Sequence, residues 1–314
     1  MSREDLRLSH YLVVSPALFG GRFRAVFSTR RAELSMLDEA LYGKLVAGAY
    51  AAMSPQELAM LIVRRIVVSC DEDELARVMD LERSEAQAVE ARPTLLLDAE
   101  GLHAQAFFAW RSRCGVRAVE LCLRLHGRGT AADNRLSRSL NLLHAIVGDA
   151  RFPQDRIALL LRCEVDAMGQ GDLMQLIEHL DEQDLLARIK LQVAPARCGT
   201  PLRAPEFAAF EVQVLQRLAD LGHRPALLPN LAAHLAAEPG TPCHGCHLLP
   251  VCGSASAAQW RNGAPSPCPS IRHNLEQRLL LQVRDDRRAT RQLLVSPEDA
   301  PSVSPLPHPA HSSR

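Results

Sequence analysis

Four short apolar runs, separated by stretches with helical periodicity, dominate the middle of the chain. The runs are TLLLD (94–98), VRAVELCLRL (116–125), RIALLLRCEV (156–165) and RIKLQVAPAR (188–197). Strands of a parallel sheet are buried on both faces and therefore form nearly continuous apolar runs. Alternation of such strands with helices of about ten to fifteen residues is typical of βαβ units. The pattern predicts an α/β region built on a parallel sheet.

The spacing of these runs limits how many βαβ units the chain holds. About four or five units fit between residues 93 and 229, with HRPALLP (223–229) as a last short strand. A helix is predicted over 207–221, ended by Gly222. A closed barrel of this kind needs eight strands. We therefore predict a truncated, partial (β/α) barrel over residues 93–232.

The first 92 residues have a different pattern. Residues 10–28 alternate around Gly20-Gly21 and predict a hairpin. Helical spacing then predicts helices from the leucines Leu34, Leu37, Leu41 and Leu45, and from a capping box at Ser54-Pro55. Together these elements indicate a small winged-helix-like module, followed by a charged helical connector (71–92) with a solvated face. Two interpretations stay open: a scaffold for the next domain, or a docking wing whose exposed strand edge takes an extended peptide.

The C-terminal part reads as a cysteine-rich segment followed by a helix and a tail. Residues 271–295 are amphipathic with many arginines, for which a solvated basic face is expected, and residues 296–314 are rich in Pro and Ser, which predicts disorder. We therefore divide the chain into four parts: 1–92, 93–232, 233–295 and 296–314.

Charge and hydropathy narrow the choice of partners. Lys+Arg and Asp+Glu each number 36, so the chain has no net charge to attract nucleic acid or an anionic membrane. The N-terminus lacks the apolar core of a secretory signal, and no run of about 18 apolar residues predicts a membrane span. A cytoplasmic location is expected, with neither nucleic acid nor membrane as partner.

Four of the nine cysteines fall within one short segment. They are Cys243, Cys246, Cys252 and Cys268, and their spacing begins C-x2-C-x5-C. A C-x2-C pair places two thiolates on one turn, and two more complete a tetrahedral set for zinc or an iron–sulfur cluster. The alternative without a metal is a group of unpaired thiols in the core. The same interpretation applies to the scattered cysteines Cys70, Cys114, Cys122, Cys163 and Cys198. CHGCH also matches a haem attachment motif, but that reading needs an exported chain.

The whole segment resembles the C-terminal half of a SPASM domain. SPASM domains carry auxiliary clusters in radical S-adenosylmethionine enzymes that modify ribosomally made peptides. Cys268-Pro269-Ser270, followed by a helix that begins Arg272-His273-Asn274, matches this pattern. The opening SHYLVVSPALF and FSTRRAEL resembles the precursor-recognition region of the same maturases, and Leu125-His126-Gly127 resembles a turn of their barrel. The resemblance implies a SPASM-like domain after a barrel.

Departures from the family concern its catalytic parts. The C-x3-C-x2-C triplet that binds the radical cluster is absent from the chain, which runs PTLLLDAEGLHAQ where family members have that loop. The Gly-Gly-Glu-Pro turn is also missing, Asp133-Asn134-Arg135 only approximates a family motif, and Glu164 replaces a usual Asn. The resemblance therefore implies neither catalytic residues nor binding of S-adenosylmethionine.

The auxiliary cysteines divide into two sets by the same resemblance. Ser256 stands where the first auxiliary cluster needs a cysteine, and Cys198 alone remains upstream. The second set is complete and implies one 4Fe–4S cluster bound by Cys243, Cys246, Cys252 and Cys268, with Zn²⁺ as the alternative metal.

Three functions are compatible with this pattern. The first is a non-catalytic member of a peptide modification system that binds a precursor peptide or a competent maturase. The second is a subunit of an active heteromeric maturase whose cluster relays electrons. The third is a zinc-stabilised regulatory binding protein. The missing radical triplet favours the first.

Overall fold

The structure is a computed structural model. It describes residues 5–86, 94–98, 118–125, 158–196, 200, 202–223, 225–229, 243–252 and 270–294, and several residues between 137 and 147. Cys268, Ser256, Cys198, residues 99–117 and the tail 296–314 lie outside this part. Within it the fold is a mixed α/β arrangement with one parallel sheet, as predicted.

The strands, in chain order, are β1 (Leu6–Leu8), β2 (Leu12–Val14), β3 (Phe23–Ser28), β4 (Glu33–Asp38), β5 (Val67–Ser69), β6 (Thr94–Asp98), β7 (Ala118–Leu125), β8 (Ala158–Val165) and β9 (Lys190–Pro195). The helices are α1 (Glu39–Val46), α2 (Pro55–Val63), α3 (Glu74–Ala86), α4 (Gln170–Glu182), α5 (Ala204–Asp220), α6 (Leu249–Cys252) and α7 (Ile271–Leu294).

Strands β2, β3 and β4 form an antiparallel sheet in that order, which we call the small sheet. The hairpin predicted around Gly20 and Gly21 is confirmed, and both glycines have the positive φ that such a turn requires. The helix predicted from Leu34 is wrong at its start, because residues 33–38 pair with β3 as a strand. Helix α1 begins only at Glu39, where Asp38 accepts a hydrogen bond from the Leu41 N–H at 2.7 Å.

The small sheet is buried on both faces. Val26 and Leu37 face α1 and α2, whereas Phe27 and Leu34 face the cysteine-rich segment and α7. Apolar residues therefore occupy both odd and even positions of β4, so Leu34 and Leu37 fall at a spacing that imitates a helix. The predicted capping box of α2 is confirmed: Glu57 N–H donates to Ser54 Oγ at 3.2 Å.

The second sheet has the order β6-β7-β8-β9, and all three strand pairs are parallel. All four predicted strands are confirmed. Helices α4 and α5 pack on the face that carries Leu123, Leu161 and Cys163. Gly169, before α4, lies so close to β7 that a Cβ atom would stand 2.1 Å from the Leu125 carbonyl oxygen.

The fifth strand predicted at 223–229 is wrong. The described residues of this segment, His223 and 225–229, are irregular and pair with no strand of the described part. Pro225 and Pro229 have no N–H to donate to a ladder, and the Leu227 carbonyl accepts instead from Arg278 at 3.5 Å. The sheet therefore ends at β9.

Helix α7 connects the two sheets. Leu275 and Leu279 pack on the small sheet, while Asn274 and Arg278 contact α5. Helix α5 ends before Gly222, whose φ of +88° confirms the predicted stop. The expected solvated basic face of α7 is wrong at Arg278, which is 9% exposed and paired with Glu211.

Helix α3 confirms a helix within the predicted charged segment 71–92, of which residues 87–92 lie outside the described part, but its first residue is not solvated. Glu74 is 5% exposed and lies among arginines from β1 and from the β3–β4 turn. None of the helices in the described ranges has the length and apolar character needed to cross a membrane.

Candidate metal centre

Three of the four predicted ligands lie on one turn and the short helix that follows it. The Cys246 N–H donates to the Cys243 carbonyl at 3.1 Å, and the Leu249 N–H donates to the Cys246 carbonyl at 3.0 Å. Helix α6 then ends at Cys252, whose N–H bonds to the Leu248 carbonyl at 2.8 Å. The C-x2-C spacing thus forms the tight turn that the sequence predicted.

Two residues next to the small sheet, His10 before β2 and Thr29 after β3, hold the cysteine turn through the backbone carbonyls of the turn. His10 Nε2 lies 2.9 Å from the Gly245 carbonyl oxygen, and Thr29 Oγ1 donates to the His247 carbonyl at 2.6 Å. The His10 and His247 rings meet edge to face, with centroids 6.3 Å apart. Because the bonded groups are main-chain atoms, they set the path of the cysteine turn whatever its side chains bind.

Apolar contacts complete the support on both sides of the turn. Tyr11, Val78, Cys243 and Leu249 form one buried cluster, with Tyr11 only 2% exposed. Cys246 and Cys252 are half-buried against a second cluster that contains Phe27 and α7. The three sulfur-bearing residues thus line the contact between the cysteine-rich segment and the N-terminal part of the chain.

A buried carboxylate holds the connection between β1 and β2 that carries His10 and Tyr11. Glu74 accepts hydrogen bonds from Ser9 Oγ at 2.5 Å and from the His10 N–H at 3.1 Å. It also forms ion pairs with Arg7 at 2.6 Å and with Arg30 at 3.1 Å. Four donors thus converge on the Glu74 carboxylate, and one of them is the N–H of His10, which contacts the cysteine turn.

The pKa shifts around the turn follow from burial. Burial, with the charge of Glu74 and that of Cys246 adding to it, raises the pKa of Tyr11 to about 12, so Tyr11 stays neutral. Burial also lowers the pKa of His247, and the charges of His10 and Arg272 lower it further. Farther away, burial raises the pKa of Cys163, which keeps that thiol protonated and inert in the core of the parallel sheet.

The described residues do not by themselves make a metal site. Within the ranges that the structure describes, no three His, Cys, Asp or Glu side chains are grouped so that they could hold a metal ion. Cys268, the fourth predicted ligand, is outside those ranges. The chemistry of the donor set, three thiols on one turn and helix, suits a soft or borderline metal. The metal site therefore stays a prediction, and no reaction step is derived from it.

The positions that carry the barrel part of the resemblance are only partly within the described structure. Glu164 lies on β8 with its carboxylate 3.7 Å from Arg162. Asp166, just after that strand, accepts hydrogen bonds from the N–H groups of Met168 and Gly169 at 3.0 and 2.9 Å and so shapes the turn into α4. Residues 126, 127 and 133–135 lie outside the described residues.

No protein-family model matches this chain, and no curated protein matches it either. The likeness to radical S-adenosylmethionine and SPASM proteins therefore rests on the sequence motifs alone.

Sequence reasoning missed the residues that position the cysteine turn. His10, Thr29 and Glu74 lie more than 160 positions before Cys243 in the chain. A capping signal marks the start of α3 at Asp73, whose side chain accepts from the Ala76 N–H, but it says nothing about a buried Glu74. The contact of Ser9 with Glu74 joins residues 65 positions apart, which no local pattern reveals.

Proposed function

We propose that this protein is a non-catalytic partner in a peptide modification system, and that it binds an extended peptide along the free edge of β4. The single observation that carries the proposal is the small sheet: its β4 edge pairs with no strand of the described part of the chain, while the cysteine-rich segment packs on its face. This arrangement supports the docking-wing interpretation over that of a plain scaffold.

The backbone of β4 determines which groups a peptide would meet. The Glu39 N–H donates to the Arg22 carbonyl at 2.9 Å. In an antiparallel ladder every second residue bonds to the partner strand, so Leu37, Ser35 and Glu33 are the residues that bond to β3. Leu34, Met36 and Asp38 therefore direct their N–H and C=O groups away from β3. In the part of the chain that the structure describes, no other strand pairs with this edge. Such an edge is a template for strand addition.

Side chains beside the edge supply the contacts that would select a peptide. Met36 is 42% exposed and lies beside this edge, where its side chain is accessible to a peptide. Arg64 closes one end of the edge, because it donates to Ser35 Oγ at 2.8 Å and to the Leu34 carbonyl at 3.4 Å. The groups left open are the N–H and C=O of Met36 and the N–H of Asp38, because the Asp38 carbonyl accepts the first hydrogen bond of α1. The thioether of Met36 is a flexible contact for apolar side chains of the peptide.

The proposed metal has a structural task in this scheme. Cys243, Cys246, Cys252 and Cys268 would hold a 4Fe–4S cluster or zinc and so tie the segment to the face of the small sheet. A thiolate-bound metal supplies folding free energy to a short segment with little core of its own. The double change Cys243→Ser/Cys246→Ser should then abolish metal binding and expose residues 243–252 to hydrogen exchange. An unchanged melting temperature and soluble yield would contradict this task.

Anaerobic purification followed by metal analysis separates the candidate metals. Zinc without visible colour fits a purely structural centre. A coloured iron–sulfur centre that titrates reversibly with a reductant would instead favour the subunit that relays electrons to a catalytic partner.

The peptide proposal is tested at Met36. Met36→Pro removes one outward N–H from the edge without removing a bond to β3, and Met36→Ala is the matched control that keeps the N–H. We expect labelled precursor peptides from the same gene neighbourhood to bind the wild type and Met36→Ala alike, and to bind Met36→Pro at least about tenfold more weakly. Equal binding to both variants, or no binding to any of the three proteins, would refute peptide addition at β4.

A further inference from the structure

A cavity of about 680 Å³ lies beside β9, at the edge where the parallel sheet ends. Its walls are mainly apolar. They include Leu191 and Val193 of β9, Val214 and Leu218 of α5, and Pro225 and Ala226 of the irregular segment. Ala226 is exposed, so the cavity opens to solvent at that wall.

The backbone of β9 offers hydrogen-bonding groups on the side of this cavity. The Ala196 N–H donates to the Val165 carbonyl of β8 at 3.0 Å. Every second residue of β9 bonds to the same neighbour, so Ala194, Gln192 and Lys190 also bond to β8. Leu191 and Val193 therefore direct both N–H and C=O away from β8. In the described part of the chain, no backbone hydrogen bond from another segment reaches these groups.

The described residues of the segment after Gly222 do not form a fifth strand beside β9. Residues 225–229 pass the open edge without pairing, and two of them are prolines. The Leu227 carbonyl is taken by Arg278, which holds the segment at its position across the cavity. The cavity is thus a slot with a strand edge on one side, α5 below and a non-pairing segment opposite.

The lining of the slot includes Lys190 as well as apolar residues, and one end of the slot is polar. Arg278 and Glu211 both line it and form an ion pair at 2.6 Å. The buried Nε of Arg278 has no hydrogen-bond partner among the described residues. This nitrogen is closed to solvent, so it belongs to the Glu211–Arg278 contact and a ligand in the slot does not reach it.

We propose that this slot binds an extended peptide segment with apolar side chains, which adds a fifth strand to the parallel sheet. Alternating N–H and C=O groups on Leu191 and Val193 match the alternation of a peptide backbone, which few other ligands supply. The apolar walls accept apolar side chains of such a peptide. The proposal concerns a different sheet edge from β4 and stands without the proposed function.

The test uses the full-length protein and a phage-displayed library of random seven-residue peptides. We expect selection of peptides whose apolar residues alternate, and these should bind Ala226→Trp at least about tenfold more weakly than wild type. The tryptophan fills the mouth of the slot from an exposed position, so the variant should fold, which its melting temperature checks. Val193→Pro, which removes an outward N–H, should weaken binding similarly.

Amide hydrogen exchange locates the bound peptide. A selected peptide should slow exchange at Leu191 and Val193 in the wild type, and Met36→Pro should leave both binding and this protection unchanged. No enrichment of any peptide, equal affinity of wild type and Ala226→Trp, or protection confined to β4 would each overturn the proposal. Met36→Pro blocks only β4. The experiment therefore distinguishes a failure of peptide binding at β9 from a failure of peptide binding at β4.

Discussion

Among the described residues, Glu74 and Glu211 are two carboxylates that each join distant segments, and their surroundings differ. Glu74 draws together β1, the β3–β4 turn and α3, and it is 5% exposed with Arg30 beside it at 3%. Glu211 draws α7 onto α5 through three donors to one oxygen: Ser270 Oγ at 2.6 Å, Asn274 Nδ2 at 2.9 Å and Arg278 at 2.6 Å. Its side chain is 15% exposed and lines the cavity beside β9.

Both clusters also contain a buried arginine Nε without a hydrogen-bond partner among the described residues, on Arg30 and on Arg278. The Arg30 guanidinium is otherwise satisfied by two carboxylates, Glu72 at 2.6 Å and Glu74 at 3.1 Å. Arg278 has one carboxylate and a long bond to a carbonyl. The first cluster is an enclosed structural tie, whereas the second is a tie that borders the cavity beside β9.

The largest effect is expected from Glu74→Ala. Removing this carboxylate leaves Arg30 buried with one partner fewer and strips Ser9 and His10 of theirs, so the free energy of unfolding should fall by about 4 kcal/mol. Urea unfolding of both proteins measures the loss. The matched control is Glu33→Ala, whose ion pair with Arg31 is about half exposed on both sides and should cost near zero. If Glu74→Ala lowered the free energy of unfolding no more than Glu33→Ala does, the Glu74 cluster would not be a structural tie.

Glu211→Ala should cost less, about 2 kcal/mol, because water in the adjoining cavity can solvate the guanidinium that remains. The same urea unfolding measures it, and the comparison is with Glu74→Ala. Equal costs for the two variants would mean that the cavity does not relieve the unpaired charge, and the distinction between the two clusters would fail.

How far each cluster was predictable from sequence depends on the range of the contacts. The four strands of the parallel sheet could be predicted because a short apolar run indicates a buried strand whichever residues it packs against. Strand β4 was mistaken for a helix because Leu34 is buried by α7, more than 230 positions later in the chain. No local pattern near Leu34 contains that information.

The candidate sites show the same limit. The C-x2-C turn was predictable, since its geometry is set by four neighbouring residues. Its docking on His10 and Thr29, and the burial of Glu74 in a run of acidic residues, require the small sheet to be assembled first. The slot beside β9 was hidden by the opposite error: an apolar run at 223–229 resembled a strand although its prolines prevent pairing.

The pH dependence of stability should report the Glu74 cluster specifically. Burial would raise the pKa of Glu74, but hydrogen bonds from Ser9 and His10 and the charges of Arg7 and Arg30 outweigh it and hold the pKa below its ordinary value. A lowered carboxyl pKa contributes stability above the unfolded-state pKa, and that contribution is lost as the pH falls through the folded-state pKa.

We therefore expect the wild type to lose stability on acidification below about pH 5, and Glu74→Gln to lose less over the same interval. Melting temperatures measured at intervals of pH check this. Parallel profiles for the two proteins would show that Glu74 does not titrate differently in the folded state.

The finest comparison removes one hydroxyl from each cluster. Ser9 is 5% exposed and donates to Glu74 within an enclosed site, so Ser9→Ala should lower the free energy of unfolding by about 1.5 kcal/mol. Ser270 is half-buried and donates to Glu211, which keeps two other donors on the same oxygen. Ser270→Ala should cost about 0.5 kcal/mol, near the lower end of the range for one hydrogen bond. Urea unfolding of both variants against the wild type decides the order, and a larger loss for Ser270→Ala would reverse our assignment of which carboxylate is enclosed.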